Sequence, residues 1–472
     1  MLDIALIRDN PEWVKEQFKK LNDMDAIGRI DTIVKLDQQR REMLQESESI
    51  QANRNKLNKG MGRLRGDKKL DEATKAARAY HAAQALREKN FEHAEAILTG
   101  ATSVTAPDNR TELNVALEDL TDLLRGIGDR VNEINEQLKQ VEGELNEHML
   151  WLPNLPHEST PVADSEEANV AWQPEGDFRE YDFTPKPHWD LGPELGVIDF
   201  ERGVKLAGTR AYILKGWGAR LQRALINFFL DMAQEKGFEE VYVPFFVREE
   251  MMYGSSQFPK FRDVVYYDGD ADIYLLPTAE VAITNMYRDE IVDEAQLPMY
   301  FVANTPCFRR EKTSAGRDTR GIKRVHQFQK VEMYKFTTPE TSYAELESLT
   351  EAACDLCRAL KIPFRRLEIV TGDLGFSATK KYDVELWAPG CEEWLEVSSC
   401  SNTETFQARR ANIKYRPENG KKAQFVHTLN GSGLGLTRVI IAILENYQQE
   451  DGSVIVPEVL RPYLGADVIT KD

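Results

Sequence analysis

From Leu113 to Leu145 the apolar residues fall at Leu113, Leu117, Leu120, Leu124, Ile127, Val131, Ile134, Leu138, Val141 and Leu145, and the gaps alternate four and three throughout. A strand would bury every second residue. This spacing instead buries one stripe of a long helix, the seam along which two helices coil. Gly126 and Gly128 lower helix propensity locally and leave the register intact. Earlier in the chain, Leu36, Met43, Ile50, Leu57 and Leu64 form a row spaced by seven. Its companion row, Ile33, Arg40, Ser47, Arg54 and Met61, is only half apolar. Two long helices with facing seams predict an antiparallel hairpin; the same rows also fit two helices of an ordinary bundle.

Between the two seams the pattern is irregular. Gln51 to Leu70 holds seven basic residues against one acidic, a local balance of +6. An Ala-rich helical stretch follows from about Leu70 to Leu98, then a loop from Gly100 to Thr111 with a turn at Pro107-Asp108. Composition shifts at Trp151 to Asp177, where Pro153, Pro156, Pro161 and Pro174 stand among scattered acids; this reads as a linker. Beyond it, β-branched runs such as VYVPFFV and KVEMYKF alternate with helical patterns, which predicts a mixed α/β domain of roughly 290 residues.

The chain of 472 residues carries a formal charge of −18, which argues against nonspecific nucleic-acid binding by the molecule as a whole. No run of 18 apolar residues occurs, so no membrane span is predicted, and the N-terminal MLDIALIRDNPEWV has no signal-like core. Five cysteines form no disulfide framework, and Cys354 and Cys357 read as i, i+3 positions on an apolar helix face. A reducing cytoplasm is the default. Against this acidic background, FRREKTSAGRDTRG (Phe308 to Gly321) packs four arginines and a lysine into fourteen residues, with Lys323 and Arg324 close behind. Phosphate is the anion that best explains arginine here, because the planar guanidinium holds two phosphate oxygens at once. No GxxxxGK[ST] loop and no GxGxxG fingerprint occur, so a nucleotide would have to be held another way.

The stretch from Phe308 to Phe336, FRREKTSAGRDTRGIKRVHQFQKVEMYKF, resembles motif 2 of class II aminoacyl-tRNA synthetases, in the form seen in the seryl-tRNA synthetases. The segment from Arg202 to Val247 is similar to motif 1. The segment from Thr428, TLNGSGLGLTRVIIAILENYQQEDGSVIVPEVLRPYL, is similar to motif 3, with Arg438 at its hallmark position. Thr278-Ala279-Glu280 and EVSSCSN (Glu396 to Asn402) belong to the seryl branch. The resemblance covers essentially the whole chain, the N-terminal arm included.

The resemblance implies an α+β fold: an N-terminal antiparallel α-helical coiled-coil arm, followed by a class II catalytic domain of antiparallel sheet flanked by helices. The expected division is 1–158 for a tRNA-binding arm domain with an insertion at about 66–112, 159–177 for the linker, and 178–472 for the catalytic domain. The implied activity is ATP-dependent ligation of L-serine to tRNA(Ser) through a seryl-adenylate, with tRNA(Sec) left open as a second RNA substrate. Arg309, Glu311 and Arg438 are the expected catalytic groups. ATP would be bound by Arg309, Arg310, Glu311, Val325, Phe328, Glu396, Val397, Ser398, Ser399 and Arg438, with Mg²⁺ on Glu396 and Ser399. Serine would be bound by Thr278, Ala279, Glu280, Arg309, Glu332 and Ser432. A polar pocket with carboxylates suits an ammonium group and a hydroxyl, and rejects alanine by leaving buried polar groups unpaired. Arg54, Lys56, Lys59, Arg63 and Arg65 would meet tRNA phosphates. The family is homodimeric through motif 1, and the apolar face Leu221, Leu225, Phe228, Phe229 is compatible with that.

Taken singly, each residue has a plainer reading: Phe328 as core, Glu332 as a solvated strand residue, Arg438 as a helix-surface charge. Their joint order carries the assignment. Lys312-Thr313 replaces the family's usual Ala-Gly, and Leu436-Thr437 replaces smaller residues before Arg438. Two other classes fit parts of the chain. One is an adenylate-forming enzyme serving a carrier protein, which would lack the long arm; the other is a catalytically silent coiled-coil paralogue, which would lack Arg309, Glu332 or Arg438.

Overall fold

The computed structural model describes residues 1–105, 110–312, 320–418, 420 and 422–471. Pro107-Asp108 and Thr313 to Thr319 lie outside these, as does the side chain of Leu113. The chain forms two compact units, one of Arg29–Met149 and one of Met1–Gly28 with Leu150–Asp472. The short helices α1 (Ile4–Asp9) and α2 (Pro11–Lys20) therefore belong to the second unit, where Arg409 pairs with Asp3 at 2.9 Å.

In the first unit, α3 (Met24–Gly66, 43 residues) and α6 (Arg110–Leu150, 41 residues) are the two long helices, each roughly 60 Å from end to end. Their contacts run in opposite senses. Arg29 meets His148 at 3.4 Å, Ser47 Oγ donates to Asn135 Oδ1 at 2.8 Å, and Arg65 donates to Thr121 Oγ1 at 2.6 Å. The partner's number falls as its own rises, so the hairpin is antiparallel. Leu120, Leu124, Val131, Ile134 and Leu145 are buried against Ile33, Leu36, Leu57, Met61 and Leu64, as the heptads predict.

The Ala-rich stretch is two helices rather than one, α4 (Glu72–Arg87) and α5 (Phe91–Thr99). Lys89 takes a left-handed φ of 57°, and the Asn90 side chain caps α5 by accepting from His93 N–H. Ala79, Ala82, Ala83, Ala94, Ile97 and Leu98 share one core with Leu57, Met61, Leu64, Leu120 and Leu124. The segment thus packs on the hairpin, and small alanines let the helices approach closely: a Cβ at Gly60 would lie 3.0 Å from the Leu98 Cβ.

The second unit is built on one eight-stranded sheet. Its strands in chain order are β1 (Val170–Ala171), β2 (Glu239–Glu240), β3 (Met299–Phe308), β4 (Gln327–Thr337), β5 (Phe364–Glu368), β6 (Lys380–Ala388), β7 (Glu393–Glu404) and β8 (His427–Gly435). The spatial order is β1-β5-β6-β7-β8-β4-β3-β2, antiparallel except for β2 on β3. Residues 159–177, read from sequence as a linker, are tied to this sheet: Val170 pairs with Glu368 and Ala171 with Leu367.

Three helices, α7 (Trp217–Glu235), α8 (Ser342–Ala359) and α9 (Leu436–Tyr447), share a core with the sheet. Alternation along β4 explains which side is which. Val331 and Met333 enter that core, whereas Phe328, Lys330 and Glu332 rise from the opposite face. Cys354 and Cys357 are buried on α8, as the i, i+3 spacing predicts. One expectation needs correcting. Leu221, Leu225, Phe228 and Phe229 on α7 do not form a free docking face, because all four are buried in this unit's own core. The exposed apolar residues nearby are Val204, Leu206, Tyr242 and Phe246.

Candidate active site

The face of the sheet away from α7, α8 and α9 opens into a cavity of about 540 Å³. Of the residues expected to act, Thr278, Glu280, Arg309, Glu311, Val325 and Phe328 line it from one side; Glu396, Val397, Ser399, Ser432 and Arg438 complete the wall. Ala279 does not line it and is buried in a separate core. Ser398 also points elsewhere and donates to the Ser432 carbonyl at 2.6 Å. Arg310 lies outside the lining, with its guanidinium 6.0 Å from the Tyr266 ring.

Two irregularities in the ladders make this convergence possible. Glu396 and Ser399 are three apart, which on a regular strand would send them to opposite faces. Between β6 and β7, however, Val384 pairs with Ser398 and Glu385 with Glu396, so Val397 is an extra residue. That bulge returns Glu396 to the face of Ser399. Likewise, Lys330 pairs with Gly435 while Glu332 pairs with Ser432, and the register shift on β8 sets Ser432 opposite Glu332.

At one end lies a small polar pocket. Glu332 is fully buried behind the lining residues Lys330, Thr278 and Asn430 and does not itself line the cavity; its carboxylate is ion-paired with Lys330, with Thr278 Oγ1 at 3.4 Å and Asn430 Nδ2 at 3.5 Å. Lys330 Nζ also donates to Thr278 Oγ1 at 2.8 Å. Glu280, at the start of a short helix, accepts from Gln407 Nε2 at 2.6 Å. Burial first, and then the nearby Glu332 charge, push the Glu280 carboxyl up to about 7. Lys330, Asn430 and Gln407 were not anticipated from sequence. For Lys330 the signal was present, since Phe328, Lys330 and Glu332 follow the period of two that puts side chains on one strand face.

At the other end the charges are positive. Arg309 Nε donates to the Pro277 carbonyl at 3.3 Å, and its guanidinium stands 5.3 Å from the Phe328 ring centroid. Arg438 donates to the Glu396 carbonyl at 2.7 Å and to the Lys323 carbonyl at 3.3 Å. Lys323 and Arg324 join the lining, so both ends of the basic strip reach the cavity. Glu396, with a side chain 48% exposed, is pushed up by the desolvating walls. Arg438, then Lys381, Arg309 and Arg324, outweigh that and hold it below the usual carboxylate range.

Behind the strip sits a buried anchor. Glu445 of α9 accepts from His188 N–H and Nδ1–H, and from the N–H groups of Gly390 and Cys391, each at 2.9 Å. His188 Nε2 then accepts from Ile322 N–H at 3.1 Å, and Trp189 carries Arg320 over its ring at 5.0 Å. His188, Cys391 and Glu445 have metal-ligand side chains within 4.8 Å of one another, but protein hydrogen bonds already engage the carboxylate and both imidazole nitrogens, Nδ1 donating and Nε2 accepting.

On the arm unit, Lys56, Lys59, Arg63 and Arg65 of α3 are exposed, whereas Arg54 occupies the seam. Its guanidinium fills the space where a Cβ at position 128 would stand, 2.6 Å away, and its Nε is buried with no hydrogen-bond partner among the described residues. Gly128 therefore makes room for Arg54. Among the described residues, no helix is long and apolar enough to cross a membrane.

Comparison with known proteins agrees with this arrangement. Residues 1–102 match the seryl-tRNA synthetase N-terminal domain, and residues 263–447 match the tRNA synthetase class II core domain (G, H, P, S and T). The chain is 51% identical over 465 residues to the serine--tRNA ligase of Roseiflexus sp., covering 98% of each. It is 49% identical to that of Roseiflexus castenholzii over the full length of both. Among solved structures, the seryl-tRNA synthetase of Pyrococcus horikoshii complexed with ATP superimposes with a TM-score of 0.84 at 35% identity, covering 100% of both chains. With the cavity, the sheet and the coiled hairpin all accounted for, the chain belongs to the class II seryl-tRNA synthetase family.

Proposed function

We propose that this protein ligates L-serine to tRNA(Ser) in two steps within the 540 Å³ cavity. First, a serine carboxylate oxygen attacks the α-phosphorus of ATP; the bond to the bridging oxygen breaks, and pyrophosphate leaves. Next, a terminal ribose hydroxyl of the tRNA attacks the seryl carbonyl of the adenylate and AMP leaves. The observation that supports this best is the make-up of the cavity, with Glu280, Thr278 and the Lys330–Glu332 pair at one end and Arg309, Arg438, Lys323 and Arg324 gathered near Glu396 at the other.

Glu280 and Glu332 suit the ammonium and hydroxyl of serine, with Thr278 and Ser432 beside them. Lys330 is ion-paired with Glu332 and would be the partner that substrate displaces. Arg309 stands where charge builds on the α-phosphate, and a preorganised guanidinium there stabilises the transition state more than the ground state. Phe328 offers a face for adenine, Glu311 an acceptor for its amino edge, and Arg438 a cation for the distal phosphates.

Glu396 and Ser399 offer hard oxygens on one wall, suiting Mg²⁺ bound with ATP. Bound there, the cation would neutralise phosphate charge as a Lewis acid. The exposed row Lys56, Lys59, Arg63 and Arg65 suits tRNA phosphates; Arg54 serves the seam instead. Val204, Leu206, Tyr242 and Phe246 suit a homodimer contact in a cytoplasmic enzyme. tRNA(Sec) would enter by the same second step.

Amino-acid-dependent ATP–pyrophosphate exchange tests the reading. Serine should drive exchange far better than threonine, alanine or glycine, and preference for any of those three contradicts it. Arg309→Ala should slow exchange by a factor of roughly 10² or more, the scale of one lost transition-state donor.

A further inference from the structure

One carboxylate on the sheet face beneath the phosphate end has no part in that mechanism. Asp383 lies within β6 and pairs across the ladder with Ser399 of β7, so both side chains rise from the same face. The bulge at Val397 brings Glu396 to that face as well. Two neighbours on β6 share it and are otherwise engaged: Glu385 accepts from Arg365 Nε at 2.6 Å, and Lys381 Nζ lies 3.4 Å from the Asp373 carbonyl. Lys381 also stands 3.7 Å from Asp383 Oδ2. The other oxygen, Asp383 Oδ1, is buried and accepts no hydrogen bond from any described residue. The residue as a whole is only 6% exposed. Lys381 and the Ser399 hydroxyl are the neighbours of Asp383 on this face, and a buried carboxylate oxygen left open beside a second carboxylate suits a water held by a cation.

We propose that Asp383 is a positioning residue for the divalent cation held at Glu396 and Ser399, with Oδ1 accepting a hydrogen bond from a water molecule on that cation. Mg²⁺ sheds its water reluctantly, so the protein's grip on it runs largely through such outer acceptors. The bulge serves this arrangement, because without it Glu396 would leave the face that Asp383 and Ser399 share. The inference rests on the metal reading above, and the experiment separates the two.

Mn²⁺ titration followed by electron paramagnetic resonance, with a non-hydrolysable ATP analogue present, reads cation affinity without turnover. Asp383→Asn should weaken Mn²⁺ binding by roughly tenfold or more, the usual effect of losing an outer-shell partner. Binding of the analogue in EDTA should stay within about twofold of the wild type. If Asp383→Asn binds Mn²⁺ as the wild type does while Glu396→Gln loses it, the role of Asp383 is overturned and the metal site stands. If Glu396→Gln also binds normally, the metal site itself is overturned. Should Asp383→Asn fail to fold, anomalous diffraction from wild-type crystals with Mn²⁺ and the analogue decides. Asp383 Oδ1 within about 5 Å of the ion fits one intervening water, and a separation beyond roughly 6 Å contradicts it.

Discussion

At the scale of single residues, the neighbouring buried carboxylates Glu280 and Glu332 set the character of the end of the cavity proposed for serine. Phe328 and Glu332 came from the resemblance to motif 2, and the period of two along that strand also contained Lys330, whose partnership with Glu332 only the fold displays. Asp383 and Gln407 carried no such signal, since their importance comes from what faces them across strands and helices distant in sequence. Glu280 gives the sharpest test at this scale. Its carboxyl, pushed up to about 7 by burial and by Glu332, is half protonated in the free enzyme near neutrality. If the ionised form receives the serine ammonium, kcat/KM for serine should rise as pH climbs through about 7, and Glu280→Gln should flatten that step while lowering activity. The sign for stability is the reverse. Between the ordinary carboxylate range and about 7, the folded chain keeps a proton that the unfolded chain has released, so stability falls as pH rises across that window. Glu280→Gln should therefore unfold with a free energy higher than wild type at pH 8, by about 1–3 kcal/mol. A wild-type kcat/KM that is flat from pH 6 to 8 would contradict the role.

Among elements, periodicity gave the helices and the strand ladders gave the surprises. Heptads predicted both long helices and offered their antiparallel pairing beside an ordinary bundle, and the contacts between α3 and α6 select the hairpin. The break at Lys89 escaped the pattern, since alanine suits either of two short helices and the left-handed turn between them depends on one lysine. Apolarity alone also misplaced the face of α7, where Leu221, Leu225, Phe228 and Phe229 are buried within their own unit. An apolar stripe states that something covers it, and not what. The buried anchor joining α9 to the basic strip was invisible in sequence, because His188, Ile322 and Glu445 are far apart in the chain. His188→Ala should leave Glu445 short of a donor and Ile322 N–H short of an acceptor, costing about 2–4 kcal/mol in urea unfolding. It should also slow exchange, because Lys323 and Arg324 follow directly after Ile322. Unfolding within 0.5 kcal/mol of wild type, on the scale of an ordinary surface substitution, would show that the network bears little weight.

For the whole molecule, an acidic total coexists with local basic strips, so the net charge of −18 does not describe either strip. One positive strip reaches the cavity; the other lies on the arm, in the exposed row from Lys56 to Arg65. The two compact units therefore divide the labour in a testable way. Excising the hairpin between matched heptads should leave serine-dependent pyrophosphate exchange intact and abolish transfer to tRNA. Removing only α4 and α5 should cost less transfer, though it uncovers Leu57, Leu120 and Leu124. An armless protein that still charges tRNA normally would make the hairpin an interaction module instead. The measurement closest to the central claim is charging of total tRNA with each amino acid in turn, followed by identification of the acylated RNA. The account predicts serine esterified to tRNA(Ser) and no comparable product from any other amino acid. Exchange with serine but no acylated RNA, or a different amino acid on the recovered tRNA, would contradict it.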